Sequence, residues 1–340
     1  MGSPMITVVM CIYNEPEEWL KDSIESILNQ TFTDLEFIIV NDNPDRALNT
    51  TLVNRYMEKD HRVRLLENGT NLGLTQSLNI AFKNANGEYI ARMDADDISM
   101  TNRLETQFRY MECHPEVGVC GSWARYFGDI RFFSRKICEV PLTSSAIQST
   151  LPFSNPMIHP TVFFRKSAIE SFEQLYDEHF RSAQDYLLWE KLMSQKVNLV
   201  NLKKILLQYR VSSNQISSAN KQNQNEVASI IRLRTLEKSG LYLSDQEKAL
   251  LILLSTNRKD LHQSATLAQV ELLLQKIRMF LIDLDSSNIG ILNRSLFSEW
   301  LNCYFSFTFN WKNLALFFTS PLFNIRFLNP RDFVKILLSK

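Results

Sequence analysis

The sequence predicts an α/β fold: a mostly parallel sheet flanked by helices, followed by a helical C-terminal extension. Three observations predict it. Four short, β-prone apolar runs alternate with helical segments between residues 7 and 91, the pattern of a parallel sheet built from β-α-β units. Polar and acidic residues gather where those runs stop, which is the ligand-binding edge of such sheets. Beyond a stretch at 214–225 rich in Asn, Gln and Ser, the apolar periodicity is helical only.

The elements follow in order. Thr7-Val8-Val9-Met10-Cys11-Ile12 is continuously apolar, as a strand covered on both faces requires, and Tyr13-Asn14-Glu15-Pro16 breaks it. Trp19, Ile24, Ile27 and Leu28 recur at helical spacing until Gln30-Thr31-Phe32. A second strand over 35–40 runs into Asn41-Asp42-Asn43-Pro44, then come a helix over 47–59 and a short strand at 63–66. Asn71-Leu72-Gly73 turns the chain into a helix over 75–85. Asn86-Gly87 turns it again into the strand Glu88-Tyr89-Ile90-Ala91, which leads to Asp94-Ala95-Asp96-Asp97. A helix is expected over 102–114, strands at 117–120 and 161–164, and an irregular basic and aromatic segment over 126–140. Asp185 opens a helix with Leu188, Trp189, Leu192 and Met193 on one face, and 206–211 is the last strand-like segment. In the extension, Ser244-x-x-Glu247 ahead of Ala249-Leu250-Leu251 is a capping box, and 267–282 has the spacing of an amphipathic helix.

The chain has 340 residues, enough for one large domain, placed at 5–215, and an extension at 216–340. Lys plus Arg and Asp plus Glu are both 37, so no global basic field points to nucleic acid. Five cysteines without a C-x-x-C pair fit a reducing, cytoplasmic setting. Met1-Gly2-Ser3-Pro4 reads as an added leader before a native Met5. No apolar run approaches the ~20 residues that span a bilayer, so the protein is expected to be soluble or peripheral.

Asn14, Asp42 and the acidic run at 94–97 all follow strand ends and are therefore expected on one rim. Three carboxylates in four positions repel one another, and a hard divalent cation relieves that repulsion. The plain alternative is an acidic turn whose Asp97 or Ser99 caps the next helix. Neither G-x-G-x-x-G nor G-x-x-x-x-G-K-[ST] is present, so a metal, and not a glycine loop, would neutralise the phosphates of a bound nucleotide.

Several of these motifs, with further ones downstream, resemble the GT-A family 2 glycosyltransferases of bacterial O-antigen, lipooligosaccharide and polysaccharide assembly. The resemblance spans 5–215. It rests on Cys11-Ile12-Tyr13-Asn14, Val40-Asn41-Asp42-Asn43, Asn71-Leu72-Gly73, Asp94-Ala95-Asp96-Asp97, Arg103-Leu104-Glu105-x-Gln107, His159-Pro160-Thr161 and Gln184-Asp185-Tyr186-Leu187-Leu188-Trp189. It implies an inverting, metal-dependent transfer of a hexose or N-acetylhexosamine from a UDP-sugar to a hydroxyl of a saccharide or lipid-linked saccharide, giving a β-glycoside. It also implies roles. Cys11 lies beside the uracil, in a nucleotide-sugar loop with Tyr13 and Asn14, and Asp42 accepts the imide N–H. Asp94 holds the ribose or a metal-bound water beside Ala95, Asp96 binds Mn²⁺ or Mg²⁺, and Asp97 orders the loop. Asp185 is the general base, and His159 faces the donor pyrophosphate or the acceptor. Each role has a plainer counterpart: an Asx turn at Asp42, a helix N-cap at Asp185, packing before Pro160 at His159. The chain departs from the family pattern twice. Gln184-Asp185 stands for Glu-Asp, and Tyr209-Arg210-Val211-Ser212 stands for Tyr-Arg-x-His, so Ser212 replaces a metal-side imidazole.

Two other classes are weighed. A sugar nucleotidyltransferase would carry a Gly-rich basic loop after the first strand, where this chain has Tyr13-Asn14-Glu15-Pro16. A non-catalytic sugar-nucleotide-binding protein would not need Asp185. The Phe-rich tail from Leu301, with Trp311, Lys312, Arg326, Arg331, Lys335 and Lys340 against Asp332, either packs in a helical subdomain or makes peripheral contact with a membrane.

Overall fold

Ile6–Ile12 forms β1, and its alternate residues explain the sheet's two covered faces. Ile6, Val8, Met10 and Ile12 point into a core with Leu20, Ile24 and Ile27 of helix α1 (Glu17–Leu28). Val9 is equally buried on the other face, where helix α3 (Leu74–Lys83) packs against β1 and β2 (Leu35–Asn41). This computed structural model describes residues 4–128, 136–180, 182–212, 221–256, 260–284, 289–307, 310–328 and 336. Residues 1–3, part of the irregular segment over 126–140, the expected boundary at 215/216 and the tail residues Arg331, Asp332, Lys335 and Lys340 lie outside the described residues.

The remaining elements through residue 211 are α2 (Ala47–Met57), β3 (Val63–Glu67), β4 (Tyr89–Asp94), β5 (Ile98–Ser99), α4 (Arg103–Cys113), β6 (Val119–Gly128), β7 (Ile137–Cys138), α5 (Ser144–Thr150), β8 (Phe163–Arg165), α6 (Gln184–Ser194) and β9 (Leu199–Val211), of which α5 belongs to the second unit described below. The sheet runs β3-β2-β1-β4-β8-β6-β9-β5, with β7 beside β6. It is parallel from β3 to β4 and mixed beyond. β8 runs antiparallel to both β4 and β6, β6 and β9 are parallel, and β5 runs antiparallel to β9. The carboxyl ends of β1, β2, β4, β6 and β9 therefore share one rim.

Four elements differ from the sequence reading. β4 continues to Asp94, so the first aspartate of the acidic run is still in the strand. β6 has ten residues and β9 has thirteen, because each gives the other its ladder. Their register slips around Trp123, which hides the simple alternation that marks a strand in sequence. Thr161, expected in a strand, lies in a short 3₁₀ turn, His159–Thr161, ahead of β8.

The chain divides into two compact units: residues 1–144 with 156–219, and residues 145–155 with 220–340. Residues 145–155, read from sequence as part of the first domain, belong with the extension; buried Phe153 is part of its core. That core is helical and lined by Leu236, Leu254, Val270, Leu273, Ile277, Leu296 and Trp300. The capping box forms as expected: the Ser244 N–H donates to Glu247 Oε2 (2.7 Å) and the Glu247 N–H to Ser244 Oγ (3.3 Å). Thr266 and Gln269 make a second one ahead of helix Leu267–Leu284. Among the described residues no helix is long and apolar enough to cross a membrane.

Candidate active site

The rim is built from loops that fasten to one another. After β1, the Tyr13 N–H donates to Glu15 Oε2 (2.7 Å) and its carbonyl accepts from Asn49 Nδ2 (2.9 Å). Asn14 Oδ1 accepts from Asn43 Nδ2 at 2.7 Å, which joins the β1 loop to the β2 loop. The Tyr13 ring and Asn14 remain exposed. Cys11 pairs in register with Asp94 on one side and Val40 on the other. Burial pushes its thiol well above the usual range, so it packs as a small apolar group.

Asp42 is buried, and it organises the turn predicted at Asn71-Leu72-Gly73. Its Oδ1 accepts from the Leu72 N–H (2.8 Å) and Asn68 Nδ2 (2.8 Å), and its Oδ2 from the Gly73 N–H (2.9 Å). Gly73 has φ +87°, a conformation that glycine adopts without strain, where the chain turns away from the carboxylate into α3. The Asx turn considered for Asp42 belongs to its neighbour: Asn41 Oδ1 accepts the Asn43 N–H at 3.1 Å.

The acidic turn is clamped from three sides. Asp94 and Arg92 share a strand face, being two residues apart. The buried Arg92 guanidinium binds both Asp94 carboxylate oxygens, one of them at 2.6 Å. Burial opposes the charge on Arg92, but the Asp94 carboxylate holds it protonated. Ser23 Oγ of α1 donates to the Asp94 carbonyl (2.8 Å). From β9, the Arg210 N–H donates to Asp97 Oδ1 (2.8 Å) and Arg210 Nε to the Asp96 carbonyl (2.6 Å). The Arg210 guanidinium lies between the rings of Trp19 (4.6 Å) and Phe127 (4.4 Å). Ala95 is buried within the turn, and Ser212 is buried just past β9.

Oxygens of Asp94, Asp96 and Asp97 lie within 4.8 Å of one another. Burial, and then the charges of Asp94 and Asp96, push the Asp97 carboxyl well above the usual carboxylate range. Asp97 Oδ2 is buried without a hydrogen-bond partner among the described residues. A set of hard oxygen donors with an orphaned buried oxygen fits Mg²⁺ or Mn²⁺, which would relieve the crowding.

His159 is buried. Its Nε2 meets Tyr176 Oη at 2.8 Å, and its ring packs edge-on against Trp189. Burial, with Arg92 adding, pulls its imidazole well below the usual range, so it is neutral. The structure thus gives His159 the packing position beneath the rim. Asp185 sits, partly exposed, in the first turn of α6, while Ala183, in the left-handed region at φ 53°, takes the N-cap position. Burial raises the pKa of the Tyr176 phenol, Arg92 opposes the rise, and the charge of Asp185 adds to it.

The motif Arg103-Leu104-Glu105-x-Gln107 builds the floor. Arg103 Nη2 donates to the Arg92 carbonyl (2.7 Å), and Gln107 Nε2 donates to the carbonyls of Cys120 (3.0 Å) and Thr161 (2.8 Å). Burial pulls the Arg103 guanidinium down to about 9. Sequence reasoning missed Arg92, Arg210 and Tyr176 as site residues. Arg92 carried a signal, its i, i+2 spacing to Asp94. Arg210 meets Asp96 across 114 residues, and only strand register shows that.

Residues 7–172 match the family described as glycosyl transferase family 2. An uncharacterised glycosyltransferase of Methanocaldococcus jannaschii is 34% identical over 224 residues, covering 65% of this chain and 77% of the relative. The Escherichia coli O-antigen biosynthesis glycosyltransferase WbnJ is 34% identical over 211 residues, covering 61% and 80%. The Erwinia amylovora amylovoran biosynthesis glycosyltransferase AmsE is 30% identical over 234 residues, covering 68% and 85%. Among solved structures, residues 1–349 of S. aureus TarS in complex with UDP-GlcNAc share the fold with a TM-score of 0.58 at 16% identity, over 88% of this chain and 90% of that one. The Pyrobaculum calidifontis mannosyltransferase PcManGT in complex with GDP-Man and Mn²⁺ does so with a TM-score of 0.56 at 14% identity, over 99% and 84%.

Proposed function

Because the chain belongs to glycosyl transferase family 2, we propose that it moves a hexose or N-acetylhexosamine from a UDP-sugar to a hydroxyl of a saccharide or lipid-linked saccharide, inverting the anomeric carbon. The observation that carries this reading is the acidic turn: three gathered carboxylates at the carboxyl ends of the strands, held by Arg92 and Arg210. Relatives named for O-antigen and amylovoran biosynthesis support a polysaccharide acceptor.

In this reading Cys11 and Asp42 bind the uracil. Asp42 Oδ2 accepts one backbone N–H and has a lone pair left for the imide. Asp94, oriented by Arg92, accepts from the ribose. An acceptor hydroxyl is a weak nucleophile until it loses its proton. Asp185 takes that proton as the acceptor oxygen bonds to C1 and the bond from C1 to the UDP oxygen breaks, so an α-linked donor gives a β-glycoside. Asp96, with Asp94 and Asp97 beside it, would hold Mn²⁺ or Mg²⁺, which would supply Lewis-acid charge for the departing diphosphate. The reaction is placed in the cytoplasm, at the inner face of the membrane if the acceptor is lipid-linked. None of the five cysteines forms a disulfide, which suits a reducing compartment.

Family membership argues against the nucleotidyltransferase alternative. The non-catalytic alternative predicts binding without turnover. A panel of UDP-sugars, each with saccharide acceptors and read by released UDP, is expected to give acceptor-dependent turnover with one donor class. Tight UDP binding with no release across the panel would favour the binding protein.

A further inference from the structure

Helix Trp311–Thr319 is apolar on more than one side. One face is used inside its own unit: Phe317 is buried, stacked on Trp300 at 6.0 Å and packed on Tyr304 (4.5 Å) and Phe323 (5.4 Å). On the other face Trp311, Ala315 and Phe318 recur at i, i+4 and i+7, and all three are exposed, Trp311 by 78%. The Phe318 ring lies 5.0 Å from Phe323, which leads into a 3₁₀ turn where Ile325 is 71% exposed and Arg326 is exposed beside it. A helix with apolar side chains on more than one side is ordinarily covered on each of them.

The charge along this stretch of sequence has one sign. No Asp or Glu occurs between Glu299 and Asp332, and Lys312, Arg326 and Arg331 all fall in that interval. Lys312 is exposed next to Trp311. We propose that this face rests on an anionic phospholipid surface, with Trp311, Phe318 and Ile325 entering the headgroup boundary and Lys312 and Arg326 meeting the lipid charges. Trp and Phe on one face with flanking cations are the chemistry of an interfacial helix. Nine residues make about 14 Å of helix, far short of a bilayer, so it lies in the plane of the surface. A second copy of the chain would set the same cations against each other, which favours lipid over self-association. The proposal stands on this surface alone and is independent of the sugar transferred.

The test is sedimentation of the full chain with vesicles of pure phosphatidylcholine and of equimolar phosphatidylcholine and phosphatidylglycerol. Binding is expected only to the anionic vesicles and should weaken as salt rises. Trp311→Ser with Phe318→Ser should abolish it. Lys312→Gln with Arg326→Gln should weaken it by about 25-fold, roughly fivefold for each cation removed. Far-UV circular dichroism and thermal unfolding establish that the variants fold, as exposed positions should; a variant that misfolds is replaced by the single change Trp311→Ser. Absence of vesicle binding, equal binding to both vesicle types, or folded variants that bind like wild type would each overturn the proposal. So would a dimer in sedimentation velocity that Trp311→Ser makes monomeric while vesicle binding is absent.

Discussion

Replacing Arg210 by methionine keeps a stem of similar bulk and removes the guanidinium from the acidic turn. The backbone N–H to Asp97 Oδ1 survives this substitution. The losses are the charge-assisted bond from Nε to the Asp96 carbonyl at 2.6 Å and the stacking between Trp19 and Phe127. The first contributes about 2 kcal/mol and the two ring contacts together about 1 kcal/mol. The Asp22 carboxylate, 3.5 Å away and half exposed, adds little. Urea unfolding of Arg210→Met should therefore show the sheet-containing unit losing about 3 kcal/mol. Arg210→Lys retains a cation without the planar fork and should recover only about a third of that. The same variants should bind Mn²⁺ more weakly in the presence of UDP, because the Asp96 carbonyl no longer has its anchor. A loss under about 1 kcal/mol for Arg210→Met, or full recovery by lysine, would refute the claim that the fork and the stack hold the turn.

Excess chelator and Asp96→Ala should each abolish transfer while the fold survives; full activity in EDTA would remove the metal from the mechanism. Asp185→Asn should keep UDP-sugar affinity and lower turnover by roughly 10²–10⁴-fold, and near-normal turnover would reduce Asp185 to a structural residue of α6. Ser212→His should tighten Mn²⁺ more than Mg²⁺ in calorimetric titration, since imidazole prefers the softer ion; equal effects on both would argue against a metal-side position. His159 titrates at a depressed pKa when folded, so its contribution is complete above the ordinary value of 6.5 and is lost as pH falls below it. Stability should therefore fall as pH drops below 6.5, and His159→Phe should flatten that part of the profile, whatever its effect at neutral pH.

The first half of the sheet was readable because each strand declares itself locally. Continuous apolar runs at β1 and β2, and a polar or glycine break after each strand, need no knowledge of distant partners. The same holds for the acidic run and for Asn71-Leu72-Gly73. What the sequence conceals is non-local. β6 past Cys120 looks irregular until β9 pairs with it through a slipped register. Residues 145–155 precede β8 in the chain yet pack with helices that begin some 70 residues later. Asp42 reads as a turn former or a ligand contact, and its three bonds to Asn68, Leu72 and Gly73 appear only when the β2 and β3 loops meet. His159 beside a proline gives no hint of the Tyr176 phenol that takes its ring nitrogen.

The long pairing of β6 with β9 also bears on the order of assembly. β1 to β4 are joined by short crossovers, so their contacts close small loops, whereas β9 must return to β6 from about 80 residues downstream. Non-local parallel pairing of this kind forms late and slowly. Until β9 arrives, Asp96 and Asp97 lack Arg210, and three like charges face one another with only Arg92 to offset them. On this topology the acidic turn is expected to reach its final geometry only once β9 has paired, and a chain caught before that would have most of its core and an unassembled acidic turn.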